Sequence, residues 1–341
     1  MLLSGIASWT ACMFFLGNAQ EGVRLTEEQA EILRHVSLVE LDDGRGGTAR
    51  TLRFTGVNVQ IVNGLGATNG DPHDPADEEV CVTNGLGNLI VGYNESAGIR
   101  GDRSGSHNLV VGYGNSYASV GGQVVGFANS ILAPYASVAG GSGNSARAVW
   151  STVAGGSANV AEGISSAIAG GSLNVASGLA AAVGGGESNG AEGDWAWSGG
   201  GRHNHALGDN AVALAGAENV VDGNLASITG GAENRASAWC ASITGGERNA
   251  VEGRLAAISG GCRNLVSGDL AWIGGGSGNA ASGRSASISG GDRNEAAGVC
   301  SSVTGGQLNS ADGASSVVSG GSLRHARQDD DWVGGEPREN E

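Results

Sequence analysis

Asparagine is the residue type whose spacing in this chain most suggests a repeated chemical role. Twelve asparagines recur at intervals of 15 residues with no insertion between them: Asn144, Asn159, Asn174, Asn189, Asn204, Asn219, Asn234, Asn249, Asn264, Asn279, Asn294 and Asn309. A carboxamide donates and accepts hydrogen bonds, so the row could form twelve ligand sites or one ladder of amides stacked about 4.8 Å apart. Because asparagine also tolerates the left-handed turn conformation, we predict a structural ladder at a corner of each repeat.

Histidine and acidic side chains are the other residues of the repeat that could bind a cation. His203 and His205 lie on either side of one ladder asparagine with a spacing that could hold a metal, but no third ligand recurs beside them. Acidic residues stand three positions after alternate ladder asparagines: Glu162, Glu192, Asp222 and Glu252. This alternation keeps like charges about 9.6 Å apart instead of about 4.8 Å, which indicates avoidance of repulsion. We therefore predict no metal site.

The glycine-rich stretches do not predict an enzyme. Residues 184–189 imitate a dinucleotide-binding loop, but a similar stretch recurs in every repeat and no helical pattern follows it. No nucleophile elbow, no triad and no paired-acid spacing can be argued from the sequence. We predict a non-enzymatic protein with no cofactor.

The elements that position these residues follow from three apolar columns. Relative to each ladder asparagine, the residue six positions earlier is nearly always Val or Ile, the residue eight earlier is Ala or Ser, and the residue two later is mostly Ala or Val. These columns alternate with polar positions, as in short half-buried strands, and a short fixed period is typical of a solenoid. Glycines three before and four after the asparagine mark two corners. We predict an all-β fold: a parallel β-solenoid (left-handed β-roll) of 15-residue coils with a small N-terminal α+β cap.

Composition argues against several other classes of protein. Glycine makes up 64 of 341 residues, but there are only 4 prolines and no G-X-Y triplet period, which excludes collagen. Val, Ile and Ala recur in register, unlike in a disordered chain. The formal charge of −16 argues against binding to nucleic acid or to an anionic membrane surface. We expect no transmembrane span, because no apolar stretch approaches the required length of roughly 20 residues.

Changes in pattern divide the chain into five segments. Residues 1–19 resemble a secretory signal, because this uncharged stretch contains an apolar run and ends in small residues. Residues 20–80 are expected to cap the first coil, and they begin with a helix from Thr26 to Val36 that a capping box with Gln29 starts. The remaining segments are irregular coils at 81–135, regular 15-residue coils at 136–325 and an acidic tail at 326–341.

Self-association is expected because each coil encloses a thin core. One Val or Ile and two small side chains per coil give little burial to offset the ordering of a whole repeat. The position six residues after each ladder asparagine, named here the plus-six column, carries apolar residues that could contact other copies: Trp150, Trp195, Leu225, Leu255 and Leu270. Alternatively, these are scattered exposed apolar residues, which are common on folded proteins.

The repeat S-V-x-G-G-x-x-N-x-A-x-G resembles the head repeats of YadA-type trimeric autotransporter adhesins, whose motif is S-V-A-I-G-x-x-A-x-A-x-G. The similarity covers residues 84–324, and the usual period of that family is one residue shorter. The resemblance implies a trimeric left-handed parallel β-roll, and hence a homotrimer with a surface-exposed head that binds host matrix or other cells. No ligand-binding residue carries over from the family.

These features favour a non-enzymatic, secreted or cell-surface, adhesin-like structural protein of the bacterial exterior, which serves for attachment or as a spacer. Its expected partners are further copies of itself and an unidentified extracellular-matrix or cell-surface ligand. A trimeric fibre or spike module of a phage-like particle is the alternative. Ice binding is less favoured: Ser/Thr pairs such as Ser227 and Thr229 form rows, but Trp197, Val212 and Trp272 interrupt them.

Overall fold

The computed structural model describes residues 25–78, 81–96 and 101–334. The chain divides into two units, Met1–Gln60 and Ile61–Glu341. The signal segment predicted at residues 1–19 lies outside the described residues. The cap predicted at residues 20–80 does not coincide with one unit, because its last part belongs to the unit that contains the coils.

The first unit contains one helix and one hairpin. Helix α1 spans Glu27–Arg34, and strands β1 (Val36–Asp42) and β2 (Thr48–Phe54) pair antiparallel. Thr26 and Gln29 form the predicted capping box, in which each side chain accepts a hydrogen bond from the backbone N–H of the other residue. The helix is shorter than predicted because the residues that follow it pair with β2.

The second unit is a parallel β-solenoid built from two long sheets, in which each strand pairs with the equivalent strand of the neighbouring coils. Sheet one contains 17 strands: Leu89–Val91, Leu109–Tyr113, Gln123–Phe127, Ser137–Val138, Thr152–Val153, Ala167–Ile168, Ala182–Val183, Trp197–Ser198, Val212–Ala213, Ser227–Ile228, Ser242–Ile243, Ala257–Ile258, Trp272–Ile273, Ser287–Ile288, Ser302–Val303, Val317–Val318 and Trp332–Val333. Sheet two contains 15 strands: Ser116–Tyr117, Ser130–Ile131, Ser145–Ala146, Val160–Ala161, Val175–Ala176, Gly190–Ala191, His205–Ala206, Val220–Val221, Arg235–Ala236, Ala250–Val251, Leu265–Val266, Ala280–Ala281, Glu295–Ala296, Ser310–Ala311 and His325–Ala326.

Strand pairing advances by one repeat per coil, as the sequence period predicts. Thr152 lies opposite Ser137 in sheet one, and the strands of sheet two are offset from one another by the same single repeat. A third row of single parallel bridges, such as that between Ser142 and Ser157, joins the coils on their remaining side. Backbone hydrogen bonds therefore hold each coil to its neighbours on three sides.

The first coils are irregular in length. Leu109 lies opposite both Leu89 and Gln123, so the coil that ends at Leu109 is longer than the regular repeat and the next coil is shorter. The regular offset of one full repeat begins in sheet two with the pairing of Ser130 and Ser145, and in sheet one with that of Ser137 and Thr152.

The core is a single thin layer of small and branched side chains between the two sheets. Sheet one contributes mostly Val or Ile, such as Ile243 and Ile258, and sheet two contributes mostly Ala or Val, such as Val251; each of these three is at most 1% exposed. The Ala/Ser column is buried as well, as Ala241 illustrates. The three apolar columns of the sequence therefore lie inside the solenoid.

Glycine recurs at two positions of the coil for different reasons. Gly261, three residues before Asn264, has a φ of +90°, and a Cβ there would lie 2.2 Å from the carbonyl oxygen of Gly276. Gly268, four residues after Asn264, is not in the left-handed region, but a Cβ there would lie 2.1 Å from the carbonyl oxygen of Gly283. The first corner needs glycine for its backbone conformation and for the close approach of the next coil. At the second corner only the close approach favours glycine, and alanine replaces it in two of the regular coils.

The stack of coils continues past the predicted end of the regular repeats. His325–Ala326 pairs within sheet two, and Trp332–Val333 pairs within sheet one. Residues 326–334 therefore form part of a further coil, not the start of the predicted acidic tail. The asparagine pattern did not reveal this coil because Arg324 occupies its ladder position. Within the described ranges, no helix is both long and apolar enough to cross a membrane.

Candidate functional site

The ladder asparagines point into the solenoid, where their side chains connect consecutive coils. Asn249 is representative: its Nδ2 donates to the carbonyl oxygens of Gly245 at 3.1 Å and of Gly261 at 3.0 Å. Its Oδ1 accepts from the backbone N–H of Asn264 at 3.0 Å. Each of the twelve asparagines is at most 1% exposed. Both ends of the carboxamide are therefore used inside the fold.

The ladder extends beyond the twelve predicted positions. The backbone N–H of Asn144 donates to Oδ1 of Asn129 at 2.8 Å. At the other end, the N–H of Arg324 donates to Oδ1 of Asn309 at 3.0 Å. An arginine side chain has no acceptor, so it cannot continue the row. Because the carboxamides are buried and bonded, the row builds the coils and does not offer a binding surface.

The plus-six column forms an exposed row along one corner of the solenoid. It contains the five predicted contact residues: Trp150, Trp195, Leu225, Leu255 and Leu270. These five are 45% to 58% exposed, and their φ angles lie between 54° and 60°. Bonds between coils impose this left-handed turn; for example, the N–H of Leu255 donates to the carbonyl oxygen of Trp239 at 3.0 Å. The turn thus presents large apolar side chains to solvent, as a contact surface requires.

A second side-chain ladder, missed in the sequence, runs one position before the plus-six column. Oδ1 of Asp194 accepts from the N–H of Leu179 at 2.9 Å, and Oδ1 of Asp269 accepts from the N–H of Arg254 at 2.9 Å. The signal for it was the recurrence of an acceptor five residues after the ladder position: Asp194, Asp209, Asn224, Asp269 and Asp329. Each of these side chains satisfies a backbone donor of the preceding coil.

Replacing Asp269 by alanine is expected to lower the free energy of unfolding by about 0.5–1.5 kcal/mol, because the N–H of Arg254 loses its acceptor. Asn224 occupies the same position and accepts from the N–H of Asp209 at 3.2 Å, so a carboxamide can serve there too. Asp269→Asn should therefore remain within about 0.5 kcal/mol of the wild type. Urea unfolding measures both variants, and equal losses would contradict the acceptor role.

Three of the acids that alternate along the outward side of sheet two lie beside basic residues of a neighbouring coil. The contacts are Arg147–Glu162, His205–Glu192 and Arg235–Asp222. The first pair is separated by 2.5 Å and the second by 3.1 Å. His205 is thus bonded to a carboxylate. In the part of the chain that the structure describes, no group of three or more His, Cys, Asp or Glu residues is placed to hold a metal.

An exposed ion pair on the third side of the coils shows the same structural use of charge. Nε and Nη2 of Arg248 each lie 2.8 Å from the carboxylate of Glu233. The hydrogen bonds from this guanidinium are the main reason that the pKa of Glu233 lies below its usual value. The pair links two successive coils and leaves the carboxylate ionised.

An open groove of about 710 Å³ lies beside the first regular coil, where Asp102, Ser116 and Arg147 are among the lining residues. Hydrogen bonds from the side chain and backbone of Ser104 hold the pKa of Asp102 below its usual value. A carboxylate kept ionised by its own turn stabilises that turn and is a poor proton donor.

Comparison with protein-family models and with curated proteins finds no match for this chain. The similarity to YadA-type heads thus rests on the repeat motif, and the parallel β-solenoid is the part of that expectation that the structure shows.

Proposed function

We propose that this chain is a non-enzymatic, adhesin-like structural protein that is secreted or displayed at the cell surface. The main support is the placement of the repeated residues. The ladder asparagines and the apolar columns face inward, whereas the outward positions differ from coil to coil. A solenoid of this kind presents a long surface to partners without requiring a catalytic cleft. Its role is attachment or spacing.

The dimensions of the solenoid suit both roles. The 17 stacked strands of sheet one, spaced by about 4.8 Å, give a body about 80 Å long. Backbone ladders on three sides and the buried asparagine ladder join each coil to the next. Such a body can hold a binding surface well away from the point at which it is attached.

The YadA-like repeat adds contact between copies of the chain, which is trimeric in that family, and an extracellular-matrix or cell-surface ligand to this proposal. The plus-six column supports contact between copies, because its five large apolar side chains are exposed along one corner and offer apolar area that an interface can bury. The formal charge of −16 disfavours nucleic acid as the partner.

Antibody labelling of intact cells that make the full chain tests the proposed location. We expect labelling without lysis, or recovery of the protein from the medium, and loss of the signal after external protease treatment. A cytoplasmic protein of the same cells serves as the control and should remain unlabelled. Labelling that appears only after lysis would contradict the proposal.

A further inference from the structure

The outward side of sheet one carries no ionisable side chain along its whole length. Each strand has one inward residue equivalent to the buried Ile243, and the residues immediately before and after it face outward, as Ser242 and Thr244 do. The 17 strands give 34 such positions between Leu89 and Gly334, and none is Asp, Glu, Lys, Arg or His. We name this surface the uncharged face. Of the 30 equivalent positions on sheet two, 11 are ionisable.

Three tryptophans lie flat on the uncharged face. Each precedes a glycine by two residues: Trp197 and Gly199, Trp272 and Gly274, Trp332 and Gly334. A Cβ at Gly274 would lie 2.8 Å from the ring of Trp272, whose indole N–H donates to Oγ of Ser259 at 3.2 Å. The indole N–H of Trp332 donates likewise to Oγ of Ser319 at 2.9 Å. The rings cover the glycines instead of projecting, so the face gains apolar area and stays flat.

We infer that the uncharged face packs against the same face of a second copy of this chain, forming an isologous pair. The net charge of the chain favours a second copy as the molecule that packs on this face. Because the chain carries −16, contact through its other sides would bring carboxylates together or bury ion pairs, and both are unfavourable. The cores of protein interfaces are depleted of charged residues, as this face is.

The size of the face also fits a second copy. Seventeen strands at about 4.8 Å give a length of about 80 Å, and two outward residues per strand give a width of about 10 Å. The area is about 800 Å² per copy, which is what each partner buries in a stable interface of standard size. Pairing would also remove the exposed apolar side chains of the face, such as Leu214 and Trp272, from water.

The inferred pair differs from the homotrimer that the YadA-like repeat implies. It goes beyond the proposed adhesin-like function and does not depend on it.

The plus-six column borders the uncharged face, since Leu255 stands two residues before Ala257, an outward residue of sheet one. Its side chains would lie at the edge of the interface together with Arg254 and Asp269. A mixed polar edge around an uncharged centre is the usual composition of an interface.

Light scattering of the full chain tests the pairing. We expect the wild type to have the mass of two chains of 33.6 kDa each. Ser242→Lys combined with Ser287→Lys adds charges to the face and should give the mass of one chain. The matched control, Ala250→Lys with Ala280→Lys, alters half-buried outward positions of sheet two and should keep the mass of two chains. A wild-type mass of one or three chains, or a face variant that stays paired, would overturn the inference.

A measurement on the wild type covers the case in which a lysine variant fails to fold. Since the face is uncharged and each chain carries −16, salt screens only repulsion between the copies, so the dissociation constant of the pair should stay the same or fall from low to high salt. Ion pairs across the interface would instead raise the dissociation constant by about ten-fold or more, and a rise of that size would overturn the inference. A monomeric protein found at the cell surface would overturn the pairing and leave the adhesin-like function standing. A dimeric protein confined to the cell interior would contradict the adhesin-like function and leave the pairing standing.

Discussion

Replacing Asn249 by aspartate is expected to lower the free energy of unfolding by about 3 kcal/mol at neutral pH. The substitution puts an oxygen in place of Nδ2, which donates to the carbonyl oxygens of Gly245 at 3.1 Å and of Gly261 at 3.0 Å. A carboxylate cannot donate, so its oxygen would face two carbonyl oxygens. The site is 1% exposed, and no solvent would compensate for the buried charge.

Urea unfolding followed by circular dichroism measures this loss. Glu252→Ala, an outward change in the same coil, is the control and should stay within about 0.5 kcal/mol of the wild type. The deficit of Asn249→Asp should shrink as the pH falls towards about 4, because burial raises the folded-state pKa of the new carboxyl and protonation restores one donor. A neutral-pH deficit below about 1 kcal/mol would contradict the stabilising role of the ladder.

Gly261→Ala is expected to destabilise the solenoid by about 3 kcal/mol or more, from backbone strain and a lost hydrogen bond. The φ of Gly261 is +90°, and a Cβ there would lie 2.2 Å from the carbonyl oxygen of Gly276 and 2.6 Å from Nδ2 of Asn264. The methyl group would force the next coil away and disturb the ladder at the same point.

The neighbouring Gly260 provides the control, because a Cβ there meets no heavy atom within 4 Å. Thermal unfolding compares the two variants under the same conditions. We expect the Tm of Gly260→Ala to stay within about 2 °C of the wild type and that of Gly261→Ala to fall by about 5 °C or more. Equal Tm values would show that this corner accepts a side chain and would contradict the close approach of the coils.

Most of the coil could be predicted from the sequence because one period determines both the register and the inward side. Ile243 and its equivalents recur six residues before each asparagine, and stacking at an offset of one repeat brings them into one file. The glycine of the first corner was predictable because glycine alone combines the left-handed conformation with the close approach of the next coil. The expected strands, core and parallel pairing follow from these columns.

The remaining features depend on contacts between coils, which residue types alone do not reveal. Leucine gives no sign of a left-handed turn, yet Leu255 adopts one because its N–H bonds to the preceding coil. The Asp269 acceptor belongs to a column that other coils fill with apolar or basic residues. Arg324 concealed the last coil by replacing the asparagine. The uncharged face became visible only when the structure assigned its two columns to one side of sheet one.

Attachment to an external surface is the central claim, and retention of the purified full chain on intact cells and on wells coated with matrix proteins tests it most directly. We predict saturable retention on at least one of these surfaces, well above that of an acidic control protein of similar charge. Heat-unfolded protein should lose this retention, because the outward surface exists only in the folded solenoid. Retention equal to that of the control protein on every surface would contradict the claim.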